Sequence, residues 1–156
     1  MKCDIKGVIL EELTRHADSR GWLAELFRQD ELEPDQYPVM SYLSLTKPGV
    51  VRGPHEHKKQ NDLFIFAGTS TFRLYLWDNR RDSSTGGLFF QCDAPENKLL
   101  RVLVPPGVVH AYKNIGRSEG MVFNAPNRLF KGKDRRDEVD EIRYEDDEKA
   151  PFRVPE

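Results

Sequence analysis

The sequence predicts an all-β protein, built as an antiparallel sandwich or barrel of short strands. About nine segments show the apolar alternation or the short apolar run that is typical of strands, and turn-forming residues separate them. No segment has the length and periodicity of an amphipathic helix, so strands do not alternate with helices as they would in a parallel sheet. A small barrel of this kind encloses a cavity that inward side chains of facing strands can line.

Composition indicates one domain and excludes several kinds of partner. The 156 residues are the size of one ordinary domain, residues 1–156. With 32% charged residues and a net charge of −2, the chain has no basic excess for binding a nucleic acid. It has no long apolar run and no apolar signal region at its start, so we expect a cytoplasmic protein that does not enter a membrane. Cys3 and Cys92 lack C-x-x-C spacing, which argues against a disulfide framework or a thiolate metal site.

The first third of the chain supplies three extended segments. Residues 5–14 form an extended N-terminal segment, and the polar residues 16–20 form a turn. Residues 21–28 have the aromatic and aliphatic content of a strand between turn signals. Residues 30–37 are acidic and contain a proline, which indicates a loop or a single helical turn, and residues 39–46 alternate as a strand.

The stretch at residues 50–68 combines a buried-strand pattern with an arginine, Arg52, and two histidines. His55 and His57 are two residues apart, so in a strand both imidazoles project from the same face. Pro54 removes a backbone donor, which places this strand at a sheet edge or gives it a bulge. We therefore expect both histidines to face one cavity.

The rest of the chain adds further strands and one more histidine. The Pro-Pro-Gly turn within residues 104–114 ends one apolar strand and places His110 at the start of the next. Residues 131–156 are a charged C-terminal segment, which we expect to pack outside the barrel as a loop or short helix. The other predicted strands are residues 71–77, 88–91, 99–104 and 121–123, with a turn at residues 78–87.

The three histidines have two interpretations, of which the first is a metal site. Imidazole suits zinc, iron, copper and nickel, and a carboxylate would complete an open site around His55, His57 and His110. The carboxylate position falls on Asn61, whereas Asp62 is one residue out of register and is expected on the other face. The spacing resembles the two cupin motifs, with matches at His55, His57, Gly68, Pro105, Gly107, His110 and Asn114. This resemblance implies a cupin-type antiparallel β-barrel or jelly roll and, with a metal, an oxygenase or a small-ligand binding protein.

The second interpretation needs no metal, because a neutral histidine can remove an acidic proton next to a ketone. Four patterns in chain order resemble signatures of the dTDP-4-dehydrorhamnose 3,5-epimerases: D-x-R-G-x-x-x-E-x-F at residues 18–27, V-x-R-G-x-H within residues 50–55, D-x-R-x-x-S-x-T-x-G at residues 78–87 and P-x-G-x-x-H at residues 105–110. The resemblance implies an isomerase of deoxysugar and polysaccharide biosynthesis. It would act on a nucleotide-linked 4-keto-6-deoxy sugar, with dTDP as the expected nucleotide, and would use no cofactor and no metal.

Under this resemblance His55 is the general base, and His57 orients it or helps to return the proton. A diphosphate favours planar, always-charged donors, which agrees with the role that the resemblance gives to two arginines. The catalytic residues implied are His55, His57 and Tyr112, and the substrate-binding residues implied are Arg20, Glu25, Arg52, Lys58, Asn61 and His110.

The chain departs from the family pattern at several positions. The enolate-stabilising lysine falls on Asn61, and the tyrosine acid would fall within residues 124–129, where there is none. Lys58, Lys59 and Tyr112 are the candidates to replace them. We expect the chain to lack the C-terminal segment with the family's histidine-orienting aspartate.

The H-x-H-K pattern at residues 55–58 resembles instead the sugar-nucleotide 3,4-ketoisomerases, so the exact isomerisation is left open. The family resemblance also implies a homodimer. In it, the apolar strand at residues 5–13 is expected to pair with the partner's sheet, which would cover an exposed edge.

Overall fold

Two five-stranded antiparallel sheets form the molecule, together with one two-stranded hairpin. The computed structural model describes residues 2–155. Strands form where apolar residues alternate or run together between turns, as in residues 62–66 and 72–78. The strands are β1 (Ile9–Glu12), β2 (His16–Asp18), β3 (Gly21–Leu23), β4 (Tyr42–Thr46), β5 (Val51–His57), β6 (Asp62–Phe66), β7 (Phe72–Asp78), β8 (Phe89–Ala94), β9 (Leu100–Val104), β10 (Val108–Asn114), β11 (Gly120–Asn124) and β12 (Glu141–Arg143).

The sheet order is that of a closed β-sandwich. One sheet has the order β1-β9-β6-β11-β4, the other has β12-β5-β10-β7-β8, and β2 pairs with β3. Consecutive strands such as β5 and β6 lie in opposite sheets, so the chain crosses repeatedly over one core. This confirms the all-β, cupin-type jelly roll that the strand pattern and the cupin motifs predict.

The core lies between the two sheets. Phe72, Leu74 and Leu76 alternate inward along β7 and are fully buried. On β6, Phe64 joins the same core, whereas Leu63 faces outward into a second apolar cluster. Because both faces of β6 are covered, every residue of that strand is buried.

A bulge in β5 separates its arginine from its histidines. His55 is opposite His110 and Arg52 is opposite Tyr112, so β5 has one more residue than β10 over this interval. Gly53 has φ +86, and a Cβ built there would lie 2.5 Å from the His110 carbonyl oxygen. Since β5 lies between β12 and β10, the proline after Gly53 sits in a bulge and not at a sheet edge.

Strand β1 pairs with β9 of its own chain, with Ile9 opposite Leu103, and is itself the edge strand of its sheet, so pairing of residues 5–13 with a partner's sheet stays a prediction. Two sequence predictions differ from the structure. The polar turn at residues 16–20 is the start of the β2–β3 hairpin. Residues 141–143 form β12, where we expected an outer loop or short helix. The described residues thus contain twelve strands instead of about nine.

Helical structure in the described residues is limited to three short 3-10 turns: Gln29–Glu31, Pro34–Gln36 and Lys133–Arg135. The second of these agrees with the single helical turn expected in residues 30–37. No helix in this part of the chain is long and apolar enough to cross a membrane.

Candidate active site

An open cavity of about 1610 Å³ lies at one end of the sandwich. Residues of strands β4, β5 and β10 line it, together with residues of the C-terminal segment 126–145. A cavity of this size and openness can hold an elongated ligand that extends from the barrel interior to solvent.

Three of the four histidines converge at this cavity: His55 and His57 line it, whereas His110, predicted as a substrate-binding residue, is buried behind them and does not line it. His55 and His110 face each other across β5 and β10, with ring centroids 4.5 Å apart. The His57 ring lies 6.0 Å from His55 and 5.9 Å from His110. The fourth histidine, His16, is exposed on β2. The structure therefore brings together the histidines that strand periodicity predicts to share a face.

The carboxylate of Asp62 faces this cluster. Its Oδ2 lies 3.1 Å from His57 Nε2 and 3.2 Å from His110 Nε2, and its side chain is 1% exposed. Oδ1 accepts hydrogen bonds from the side-chain amides of Gln60 at 2.9 Å and Asn124 at 2.8 Å. The prediction that Asp62 faces away is wrong, because residues 58–61 turn the chain into the other sheet and strand parity is not carried across a turn.

Hydrogen bonds to backbone carbonyls orient two of the imidazoles. His57 Nδ1 lies 2.8 Å from the Asp140 carbonyl oxygen and His110 Nδ1 lies 3.1 Å from that of Val108, so each Nδ1–H donates and each Nε2 points at Asp62. Burial favours the neutral form of His57, but the Asp62 carboxylate raises the pKa of His57 above its ordinary value. Burial and the neighbouring His55 lower the pKa of His110.

His55 has acidic partners of its own. Its Nδ1 lies 3.6 Å from Glu141 Oε1 and 3.7 Å from Glu145 Oε1, and these two side chains are 20% and 22% exposed. Burial would raise the pKa of Glu145, but His55 and Arg143 lower it below its ordinary value. The expected absence of the family's histidine-orienting aspartate is not tested, but two glutamates of the C-terminal segment lie beside this histidine. β12 pairs with β5, Arg143 lies opposite His55, and this pairing delivers both glutamates.

Two tyrosines line the cavity wall. The Tyr112 hydroxyl lies 3.2 Å from Ser44 Oγ, and burial raises the pKa of Tyr112. The Tyr42 hydroxyl accepts a hydrogen bond of 2.7 Å from the Asn124 amide, and burial also raises the pKa of Tyr42. Sequence reasoning did not identify Tyr42 as a site residue. It lies directly opposite Asn124, the first of the residues 124–129 in which the family's tyrosine acid was expected.

The remaining predicted site residues are divided between the cavity and the exterior. Arg52 and Lys58 line the cavity, and Arg52 donates to Thr46 Oγ1 at 2.9 Å. Arg20 lies outside, with its side chain 86% exposed and paired with Asp18 at 2.6 Å.

Glu25 also lies outside, on the surface, where it pairs with Arg28 at 3.3 Å. Asn61 is buried behind the cavity wall and donates to the Asp35 carbonyl oxygen at 3.2 Å. Asn61 therefore does not occupy the place of a substrate-binding residue in this structure, and Asp62 next to it faces the histidines.

Of the three acidic residues at the site, Asp62 was placed on the wrong face and Glu141 and Glu145 were missed in the sequence. Asp62 begins a strand that is otherwise entirely apolar, and a charge at the start of such a run is a signal for a buried, partnered acid. Glu141 and Glu145 lie in a segment rich in acidic and basic residues, where the sequence gives no sign of which carboxylates face the cavity.

Comparison with known proteins gives concordant matches. The family model described as dTDP-4-dehydrorhamnose 3,5-epimerase matches residues 2–147. The spore coat polysaccharide biosynthesis protein SpsL of Bacillus subtilis (strain 168) is 37% identical over 114 residues, which are 73% of this chain and 74% of that protein. The probable low-salt glycan biosynthesis epimerase Agl13 of Haloferax volcanii is 36% identical over 129 residues, 81% of each chain.

A solved structure has the same fold. The dTDP sugar isomerase from Desulfovibrio desulfuricans G20 superposes with a TM-score of 0.77 at 24% identity, covering 96% of this chain and 91% of that one. Together with the family model, which spans nearly the whole sequence, these relatives show that the chain belongs to the dTDP-4-dehydrorhamnose 3,5-epimerase family, a family of isomerases.

Proposed function

We propose that this chain epimerises a dTDP-linked 4-keto-6-deoxy sugar in the cytoplasm by removing a proton next to the keto group and returning it. One observation carries the proposal. His55 lies in an open cavity with its Nδ1 turned toward two carboxylates, Glu141 and Glu145. This is the arrangement that a general base requires.

The two glutamates act on His55 through its Nδ1. Each can accept a hydrogen bond from Nδ1–H, which leaves Nε2 as the basic nitrogen. Their negative charge also stabilises the imidazolium that forms when Nε2 takes a proton from the sugar. Their distances of 3.6 and 3.7 Å are longer than a hydrogen bond, and we expect them to shorten when substrate fills the cavity.

Removal of the proton leaves negative charge on the enolate oxygen, and cationic groups next to His55 stabilise it. His57 has a raised pKa and shares the cavity face of β5, and Lys58 follows it on the cavity rim. These two residues take the place of the lysine that the chain lacks.

A proton must reach the opposite face of the sugar ring if a second carbon is epimerised. Tyr112 and Tyr42 are the two hydroxyl acids on the cavity wall. Tyr112 is surrounded by aromatic rings and is 4% exposed, whereas Tyr42 stands in the strand next to the expected position of the family's acid. Replacing each with Phe separates their contributions.

The proposed contacts to the diphosphate and the nucleotide involve a second copy of the chain. Arg52 lies in the cavity of its own chain, but Arg20 and Glu25 lie outside it. If they bind nucleotide, they do so in the cavity of a partner. A homodimer of single-domain chains is supported by exposed apolar side chains near them, Trp22 at 53% and Leu23 at 62%.

Isotope exchange tests this proposal. In deuterated water with a dTDP-4-keto-6-deoxyhexose, the wild type should place deuterium at the carbon next to the ketone, C3. His55→Asn should abolish this while nucleotide binding remains. If deuterium also enters at C5, the acid is the tyrosine whose replacement, Tyr42→Phe or Tyr112→Phe, removes exchange at C5 and leaves exchange at C3. Absence of exchange with every such sugar would disprove the epimerase assignment for this chain.

Subunit mixing tests the shared site. Arg20→Ala and His55→Asn should each lose exchange alone, and co-expression of the two variants should restore part of it, because one site of the mixed dimer then has both residues intact. No recovery in a confirmed mixed dimer would remove Arg20 from the site.

A further inference from the structure

The two glutamates beside His55 belong to a short segment that needs support from the rest of the chain. β12 has three residues and lies at the edge of its sheet, where it pairs with β5 alone. A short edge strand forms few hydrogen bonds and opens easily. Glu145 lies two residues beyond the end of this strand. The position of Glu145 therefore depends on contacts made outside the strand.

Backbone hydrogen bonds attach the segment after β12 to the bulge of β5. The Tyr144 amide donates to the Pro54 carbonyl oxygen at 2.9 Å, and the Glu145 amide donates to the same oxygen at 3.2 Å. Pro54 immediately precedes His55. Both bonds end on one acceptor atom, so they hold the segment close to the histidine but leave the direction of its side chains to another contact.

Tyr144 supplies that contact on the outer face of β5. Side chains alternate along an extended segment, so Glu145 lines the cavity whereas Tyr144 does not. Glu56, the residue after His55, also projects away from the cavity and is 7% exposed. The Tyr144 hydroxyl donates to Glu56 Oε1 at 2.7 Å. This hydrogen bond joins the two segments on the side opposite to the substrate.

Asn79 completes the contact. Its side-chain amide donates to Glu56 Oε1 at 3.1 Å and to the Tyr144 hydroxyl at 3.2 Å. Burial and the Glu56 carboxylate raise the pKa of Tyr144 to about 12, so the hydroxyl keeps its proton at neutral pH and remains a donor. Because Asn79 directly follows β7, the segment is connected to two strands of the sheet.

The ring of Tyr144 is packed as well. Phe152 lies against it with ring centroids 4.7 Å apart, and against Trp77 of β7 at 5.9 Å. A Tyr144→Phe variant keeps a ring for these contacts and loses the hydroxyl alone. It therefore isolates the hydrogen bond to Glu56 from the packing.

We propose that Tyr144 and Glu56 are positioning residues, whose hydrogen bond on the outer face of β5 holds Glu145 beside His55 on the cavity face. Neither residue lines the cavity, so neither contacts a substrate bound there. The role rests on the proposed function, in which the glutamates orient the His55 ring and stabilise its protonated form. Without the bond Glu145 is displaced from His55 Nδ1, and a misplacement of about 1 Å can cost about 100-fold in rate.

The kinetics of isotope exchange test this role. Tyr144→Phe should lower kcat for deuterium exchange about 10- to 100-fold and leave KM unchanged, because the groups that bind substrate are intact. The matched control is Tyr75→Phe, which removes a tyrosine hydroxyl from β7, a strand that β10 separates from β5. It should exchange as the wild type does. A raised KM with unchanged kcat in Tyr144→Phe would overturn the proposal.

Changes at Glu56 separate the hydrogen bond from a general loss of structure. Glu56→Gln keeps an acceptor oxygen for the Tyr144 hydroxyl and should retain most of the exchange rate, whereas Glu56→Ala should lose as much as Tyr144→Phe. Because the two side chains form one contact, the double variant of Glu56→Ala and Tyr144→Phe should be no slower than either single variant. Additive losses would show that the residues act independently and would overturn the pairing.

Nitrogen-15 NMR of the histidine rings needs no turnover and so separates this inference from the proposed function. At about pH 8.5, where an ordinary histidine is neutral, the His55 signals report which ring nitrogen carries the proton, and His55→Asn assigns them. The glutamates favour the Nδ1–H form in the wild type, and Tyr144→Phe should shift the population toward the Nε2–H form.

The two failures then look different. An unchanged His55 spectrum in Tyr144→Phe would overturn the positioning role whether or not the protein is active. The expected spectral change, together with no isotope exchange by the wild type, would support the positioning of Glu145 and contradict the proposed function alone.

Discussion

Asp62 and Asp78 are two buried carboxylates, one at the start of β6 and one at the end of β7 in the other sheet, and their surroundings differ. Asp78 accepts hydrogen bonds from Arg80 at 2.7 and 2.9 Å, from Ser83 at 2.7 Å and from Thr85 at 2.6 Å. Asp62 has one oxygen satisfied and one that faces two imidazoles without a hydrogen bond. A carboxylate with all its lone pairs engaged holds structure, whereas one with free lone pairs is available to chemistry.

The family signature at residues 78–87 is therefore structural. Besides binding Asp78, Arg80 donates to the Lys6 carbonyl oxygen at 2.6 Å, and the Lys6 amide donates to Thr85 Oγ1 at 2.9 Å. These bonds attach the N-terminal segment to the β7–β8 turn. A sequence signature thus mixes residues that build the barrel with residues that act in it, and hydrogen-bond satisfaction separates the two groups.

The largest effect on stability is expected from Asp78→Asn. The NH₂ group of the asparagine would face the hydrogen-bond donors of Arg80, Ser83 and Thr85. The Arg80 guanidinium would lose its carboxylate partner, and at least one of these donors would be left without an acceptor. We expect the free energy of unfolding to fall by about 3 kcal/mol, as for other broken buried ion pairs. Urea denaturation measures this. Asp82→Asn, in the same turn but exposed, is the control and should change it by less than about 0.5 kcal/mol.

Titration of Asp78 should also contribute to the pH dependence of stability. Burial alone would raise the pKa of Asp78, but the hydrogen bonds from Arg80, Thr85 and Ser83 lower it well below its ordinary value. Its contribution is therefore complete above the unfolded pKa of about 3.9 and is lost as pH falls toward the folded pKa.

Below about pH 4 the wild type should lose up to about 1.4 kcal/mol per pH unit through this one group, and Asp78→Asn should lose correspondingly less. Denaturation curves at several pH values measure the difference in slope. Parallel curves for the two proteins would show that Asp78 is not the group that titrates.

Of the two buried carboxylates, Asp62 is expected to give the smaller stability effect when replaced by Asn. Its Oδ1 keeps the amide donors of Gln60 and Asn124, and the new amide can donate to His110 Nε2, which has no hydrogen-bond partner among the described residues. We expect a change below about 1 kcal/mol in the free energy of unfolding, within the range of a single hydrogen bond, together with loss of isotope exchange. A loss of stability as large as that of Asp78→Asn would contradict the distinction between the two carboxylates.

The barrel and its histidines could be predicted from the sequence because the relevant rules act within one strand. His55 and His57 share a face by strand alternation, and the Pro-Pro-Gly turn places His110 on a comparable strand. The strands with strong apolar patterns, β4 to β11, were found close to their positions.

The acidic residues could not be predicted because they depend on pairing between distant parts of the chain. Asp62 faces the cluster only because the chain changes sheets between β5 and β6. Glu141 and Glu145 reach His55 because a short, charged strand pairs with β5, and no local pattern announces such a pairing. Tyr42 was missed since its position matters only relative to Asn124 on the neighbouring strand.

β12 is the last strand in chain order among the described residues, so it is synthesised after the strands of the core. Synthesis proceeds from the N-terminus, and the two apolar clusters of the described residues draw on nothing beyond residue 125. The sandwich can therefore assemble around His55 while residues 141–145 are still in the ribosome. A newly formed barrel would then have its cavity and its histidines before Glu141 and Glu145 lie beside His55. The charged segment around β12 can thus add the acidic partners of His55 after the core has formed.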